Sequence, residues 1–185
     1  MIIGLSGYAR SGKDEVAKIL VEDYGYQRIA FADKIRDFLL EVNPQIRDGF
    51  RIESVVNAYG WDEAKVLFPE VRKLLQDVGV AARIVFGDEF WINEAFKTLD
   101  PADNIVITDV RFTNEADQIK LFCKFTGQDS LIWRIKREGV QAVNNHISEH
   151  NMDGYPVDQI LKNEGTLENL RAVVRDRIEF SLNAN

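Results

Sequence analysis

Residues 1–16 run Met1-Ile2-Ile3-Gly4-Leu5-Ser6-Gly7-Tyr8-Ala9-Arg10-Ser11-Gly12-Lys13-Asp14-Glu15-Val16: an apolar segment, a glycine-flanked loop closed by Gly12-Lys13, and the start of an amphipathic helix. A phosphate cradle needs those three parts in that order. Gly7 and Gly12 permit backbone geometry that side chains would obstruct, so successive N–H groups can converge on phosphate oxygens where the helix begins. Lys13 supplies a point charge for the β and γ phosphates of a nucleoside triphosphate. A cation at a helix N-terminus is otherwise disfavoured, which argues for an anion there. Asp14 stands where a magnesium-ligating Ser or Thr is usual, and a carboxylate also binds a hard cation. Glu15 adds a second carboxylate, although an exposed first-turn acid complementing the helix dipole is its simpler reading.

Outward from this motif, strand, loop and helix alternate, the pattern of a parallel sheet with helices on both faces. After a strand at Met1–Ser6 and a helix at Lys13–Tyr24, a short strand is expected at Gln27–Phe31. A mainly helical stretch then runs from Ala32 to about Leu99, broken near Asn43-Pro44, Gly60-Trp61 and Gly87-Asp88 by turn formers. It is too long for one crossover and reads as an insertion over 34–99, with Arg72–Val85 its most regular helix and Phe90 and Trp91 as core residues. The apolar run Ile105-Val106-Ile107, within a strand at Asn104–Asp109, suits a strand covered on both faces. A helix at Thr113–Lys124, with Thr113 as candidate N-cap, a strand at Leu131–Ile135, a strand at Asp158–Lys162 and a helix at Thr166–Leu182 complete the pattern. The polar stretch from Lys136 to Tyr155 reads as a surface loop or lid, assigned to 136–156.

The 185 residues fit one domain, and 45% hydrophobic content is enough for a core. A formal charge of -7 argues against binding a nucleic-acid polymer, which needs clustered, uncompensated Lys and Arg. Cys123 is the only cysteine, so an internal disulfide or a cysteine metal cage is excluded and a reducing cytoplasm is expected, with Cys123 as a buried small residue. Met1–Leu5 lacks a basic leader and reads as a strand, not a signal peptide. No apolar run approaches the roughly 20 residues that cross a bilayer.

Other positions carry chemistry. Asp109 ends the buried strand, where open α/β sheets place ligands, and Arg111 follows; the acid suits magnesium through water and the arginine a phosphate, or the pair caps the next helix. Asp33 reads as a general base, a metal-shell acid or the N-cap of the helix after it. Arg72 and Gln76, four apart on a helix, suit a phosphate and a base edge, or belong to a solvated polar stripe. Arg134 and Arg137 flank the lid's entrance and would neutralise charge on a transferring phosphoryl group. Inside the lid lie His146, Ser148, Glu149 and His150, and no third ligand at metal spacing accompanies the two histidines.

Taken in order, the loop ending Arg10-Ser11-Gly12-Lys13-Asp14, then Phe31-Ala32-Asp33, Arg72 to Gly79, Phe90-Trp91, Thr108 to Glu115, His146-Ile147-Ser148-Glu149 and Asn163 to Leu167 resemble the phage-type deoxynucleoside monophosphate kinases, P-loop kinases related to dephospho-CoA kinase and adenylate kinase. The resemblance covers nearly the whole chain and accommodates Asp14. It implies an α/β P-loop NTPase three-layer sandwich, a single kinase domain with a helical monophosphate-binding insertion and a lid. It further implies transfer of the ATP γ-phosphoryl group, with Mg²⁺, to a deoxynucleoside monophosphate. ATP would lie on the loop residues Gly7 and Ala9 to Glu15 and on Asn163, Gly165 and Thr166, whose turn matches the one against the adenine. The acceptor would meet Asp33, Arg72, Gln76, Arg111, His146 and Glu149; Asp14 and Asp109 would hold the metal; Lys13, Arg111, Asp33, Arg134 and Arg137 would serve the transfer. Glu15 departs from relatives that carry Thr there. The expected partners are small nucleotides, without a membrane and with a homodimer open, in a host cytoplasm if the gene is a phage's. Two other readings stand: a small-molecule kinase such as dephospho-CoA kinase, where Asp33 would serve an acceptor hydroxyl, and a non-catalytic nucleotide-binding module.

Overall fold

The structure, a computed structural model, describes residues 1–183. It divides into two compact units, Phe31–Thr98 and the remainder of the chain on either side of it.

The first unit is built on a five-stranded sheet: β1 (Ile2–Ser6), β2 (Gln27–Ile29), β3 (Ile105–Ile107), β4 (Ser130–Lys136) and β5 (Gln159–Lys162), in the order β2-β3-β1-β4-β5. Every pairing is parallel, with Ile3 aligned to Val106 on one side and Leu131 on the other. All residues of β1 and β3 are buried, so both faces of these strands are covered, which explains their unbroken apolar sequence. Side chains alternate across a strand. Ile3 and Leu5 pack with Val16, Ile19 and Leu20 of α1 (Lys13–Tyr24) and with Leu170, Val174 and Ile178 of α8 (Leu167–Asn183). On the opposite face, a Cβ on Gly4 would touch Ile132 and Ile119, the latter from α6 (Thr113–Thr126). Helices on both faces of a parallel sheet make a three-layer α/β sandwich. The chain leaves β1 for β2 on one side, then crosses β1 after β3 to add β4 and β5 on the other. That reversal leaves a ligand crevice at the carboxyl end of β1.

The second unit holds α2 (Phe31–Val42), α3 (Ile52–Leu67), α4 (Pro69–Phe86) and α5 (Phe90–Phe96). Its core gathers Leu39, Ile52, Val55, Ala64 and Val71. The three expected breaks fall at α2's end, where Asn43 has φ 47°, at Gly60 inside α3 with φ 72°, and at Gly87 after α4 with φ 102°. Pro69 at the first position of α4 sets the start of that helix, ahead of the expected Arg72, because its fixed φ suits N1 and its missing N–H costs nothing there. Trp91 is 5% exposed and donates its Nε1–H to the Gly79 carbonyl, 3.0 Å, while Phe90 is half-buried beside Phe86 and Trp91.

Three local expectations are corrected. β3 stops at Ile107, so Asp109 lies in the turn past the strand instead of ending it. The second strand stops at Ile29, and Phe31 already begins α2, so Asp33 is the third residue of that helix and not its N-cap. Thr113 is the first residue of α6, not its cap: Glu115 reaches back and accepts the N–H of Phe112 at 3.0 Å and of Arg111 at 2.7 Å. No helix among the described residues is long and apolar enough to cross a membrane.

Candidate active site

β1 delivers the chain to Gly7, and Lys13 opens α1. Gly7 and Gly12 take φ 138° and 103°, backbone that L residues rarely adopt. Space forbids a side chain as well: a Cβ on Gly7 would lie 2.4 Å from the Ile135 carbonyl oxygen, and one on Gly12 would lie 2.2 Å from Nδ2 of Asn163. Arg10, exposed, also has positive φ, 67°. The first N–H groups of α1 have no acceptor within the helix, so this turn presents donors to whatever fills the crevice. The Ser11 hydroxyl is buried without a hydrogen-bond partner among the described residues. Buried polar groups are rarely left so, and an anion on the loop would satisfy it.

Lys13 is 9% exposed, and its Nζ donates to the carbonyls of Gly7 at 2.7 Å and Tyr8 at 2.9 Å. Burial pushes its pKa down to about 8, and the nearby Arg111 charge adds to this; Asp14, Glu149 and Asp109 act in the opposite direction. Two cations thus lie close together at the loop, where a polyphosphate would relieve their repulsion, and Arg111 borders a hollow beside it. The hollow is a cavity of about 380 Å³ bounded by the loop at Gly7, Tyr8 and Ser11, by Arg111, and by the end of β4 through Arg137.

Arg111 follows β3 and lies against α7 (Ile147–His150), where its Nη1 donates to Glu149 Oε1 at 2.8 Å. Arg134 lies within β4, and its guanidinium donates to the carbonyls of Met152, Asp153 (3.1 Å) and Tyr155 (3.2 Å). These bonds fasten the turn after α7. Arg137 is exposed just past β4 and lines the cavity. His146 caps α7: its Nδ1 accepts the Ser148 N–H at 3.2 Å and lies 2.8 Å from the Ser148 hydroxyl. His150 pairs with Asp153 at 3.1 Å instead of joining His146. Among the described residues no group of three His, Cys, Asp or Glu is placed to hold a metal. Magnesium commonly takes one or two carboxylates plus substrate phosphates. Asp14 and Asp109, both close enough to act on Lys13, have the chemistry for that set.

Asn163 donates its side-chain amide to the Ser11 carbonyl at 2.9 Å and so braces the loop from behind Gly12. Gly165 has φ 91°, and the Thr166 hydroxyl accepts the Asn169 N–H at 3.3 Å, capping α8. In the helical unit, Asp33 pairs with Arg36 at 2.9 Å. Arg72 and Gln76 are half-buried and one turn apart on α4, and neither has a hydrogen-bonded or ionic partner among the described residues.

Sequence reasoning passed over three participants. Tyr8 of the loop donates its hydroxyl to Asp153 at 3.0 Å, and Asn151 accepts the Thr113 N–H at 2.8 Å. Glu115 holds the backbone of Arg111 and Phe112, and because Phe112 has no side-chain oxygen to complete a capping box, the sequence carried only half of that signal.

With this geometry in view, a family profile described as deoxynucleotide monophosphate kinase matches residues 65–174, more than half of the chain. A protein of Acanthamoeba polyphaga mimivirus, described as a candidate deoxynucleotide monophosphate kinase, is 27% identical over 190 residues, covering 91% of each chain. Among solved structures, a shikimate kinase from Aquifex aeolicus aligns at TM-score 0.48 and 16% identity over 100% of both chains. A dephospho-CoA kinase from Campylobacter jejuni aligns at 0.45 and 13%, over 96% of this chain and 95% of that one.

Proposed function

Because the chain belongs to the deoxynucleotide monophosphate kinase family, and is thereby a phosphotransferase, we propose that it moves the γ-phosphoryl group of ATP onto the phosphate of a deoxynucleoside monophosphate. The observation that carries this reading is the buried Lys13 ammonium in a glycine-shaped loop at the start of α1, with Arg111 near enough to repel it and lining the cavity beside the loop. Backbone donors at residues 8–14 hold the ATP phosphates, and Lys13 exchanges its two carbonyl partners for β and γ oxygens. Asn163, Gly165 and Thr166 shape the turn beside the loop on which the adenine rests.

Arg72 holds the acceptor's phosphate and Gln76 its base. Arg111 and Arg137 meet the charge spread over the transferring group's oxygens, while Arg134 keeps the turn after α7 in place. Asp14 and Asp109 would hold Mg²⁺, which when bound neutralises charge between the β and γ phosphates. One P–O bond forms to an acceptor oxygen as the bond to the ADP oxygen breaks. The acceptor phosphate, with a second pKa of about 6, needs no base to become a nucleophile, so Asp33 has no proton to remove. Catalysis is then positioning and electrostatics without a covalent enzyme intermediate.

A panel of the common ribo- and deoxyribonucleoside monophosphates and dephospho-CoA with Mg-ATP, read by ADP release and by the phosphorylated product, tests this. Diphosphate from at least one deoxynucleotide is expected. Turnover with dephospho-CoA alone, or ATP binding with no acceptor phosphorylated, would overturn it.

A further inference from the structure

Glu149 is an acid where two anionic substrates are to meet, and that placement needs a physical reason. Its side chain is 1% exposed and its Oε1 lies 2.8 Å from Nη1 of Arg111, whose side chain is 36% exposed. Arg111 is therefore fixed at both ends. Its backbone N–H is held by the buried Glu115 at 2.7 Å, and its guanidinium is held by Glu149. A guanidinium carries five N–H donors. The bond to Glu149 is the only one Arg111's guanidinium makes among the described residues, so the others remain for the cavity.

Glu149 is itself braced, as it must be on a helix of four residues. His146 caps α7 in front of it, Asn151 accepts the Thr113 N–H at 2.8 Å behind it, and Arg134 grips the carbonyls that follow. So much order around one carboxylate, hidden from solvent and aimed at one arginine, is what orienting that arginine requires.

We propose that Glu149 is a positioning residue: it holds the Arg111 guanidinium against the cavity and acts on phosphoryl transfer through Arg111, touching neither nucleotide. This rests on the kinase reading above. An arginine allowed to swing free would meet the transferring group in the wrong place, and misplacement by about 1 Å can cost on the order of 10²-fold.

Charge and shape are separated by two substitutions. Glu149→Gln keeps the shape and loses the charge; Glu149→Asp keeps the charge and loses a methylene. Steady-state kinetics of both, with thermal unfolding as a folding control, should show kcat down at least about 10-fold in Glu149→Gln with the KM for ATP changed less than about 3-fold, and Glu149→Asp closer to wild type. A packing role gives the opposite order and overturns the proposal, as does a Glu149→Gln enzyme with wild-type kcat. In an Arg111→Gln background, adding Glu149→Gln should leave kcat unchanged, because the route through Arg111 is already cut. A further drop of similar size there means Glu149 acts directly, and the proposal fails. Should Glu149→Gln not fold alone, this second comparison decides, since the double variant removes both charges. No turnover by the wild type sinks the kinase reading; turnover by the wild type with Glu149 indifferent sinks only this one.

Discussion

Lys13 is buried, and on the proposed reading that sets a pH limit on ATP use. With its pKa lowered to about 8, the free protein loses the ammonium as pH rises through that value, and a neutral amine does not attract phosphate. The kcat/KM for ATP should therefore fall about tenfold per pH unit above pH 8, measured as a pH–rate profile; a level profile well into the alkaline range would contradict it. The linkage to stability has the opposite direction. An unfolded lysine keeps its proton up to the ordinary value of 10.5, so between about 8 and 10.5 the unfolded chain binds more protons and Lys13 contributes increasing stability as pH rises. The two loop glycines differ in what they face. Gly7→Ala meets the backbone carbonyl of Ile135, which moves only with β4, whereas Gly12→Ala meets the amide of Asn163, a side chain that can rotate away. Both should weaken ATP binding, and both pay roughly 1–3 kcal/mol for positive φ. Gly7→Ala should show the larger loss of thermal stability, and Asn163→Gly should partly rescue Gly12→Ala but not Gly7→Ala.

At the scale of elements, α4 carries the acceptor proposal. Arg72→Ala should raise the acceptor's KM by at least about 10-fold while that for ATP moves little, since a charge-assisted contact to phosphate is worth about 1.5–3 kcal/mol. Equal effects on both substrates would remove Arg72 from the acceptor. The elements themselves were largely legible. α1 begins and ends at Lys13 and Tyr24 as its apolar spacing predicts, and the unbroken run Ile105-Val106-Ile107 is a strand covered on both faces. The errors sit where local signals compete. Phe31-Ala32-Asp33 reads as strand by its apolar start and as cap by its acid, yet backbone pairing ends at Ile29 and the helix starts immediately. Thr113 has cap chemistry, but Glu115 supplies the return bond to Phe112. Within the site, Gly7, Gly12 and Lys13 were legible because neighbours in sequence build the loop. The Arg111–Glu149 pair joins residues 38 apart and the Tyr8–Asp153 bond residues 145 apart, and no local pattern encodes either.

For the molecule as a whole, the charge of -7 and a cavity lined by Arg111, Arg134 and Arg137 beside the loop of Lys13 fit the same proposal. On the proposed reading, a broadly acidic surface repels polyanionic polymers, while Lys13, Arg111 and Arg137 draw a small polyphosphate to the loop and the hollow beside it. The parallel sheet supplies the rigid part: β1 sets the loop, β3 carries Asp109 and Arg111 beyond its end, and β4 carries Arg134 and Arg137. Lys13→Ala should leave the fold intact, since among the described residues Nζ bonds only loop carbonyls, and should lower turnover by at least about 10²-fold. The most direct measurement follows the phosphoryl group itself. With ATP labelled in the γ-phosphate, Mg²⁺ and a deoxynucleoside monophosphate, the label should appear as the terminal phosphate of the deoxynucleoside diphosphate, one ADP formed for each. Label recovered as inorganic phosphate, or left in ATP while the protein is saturated with both nucleotides, would contradict the account.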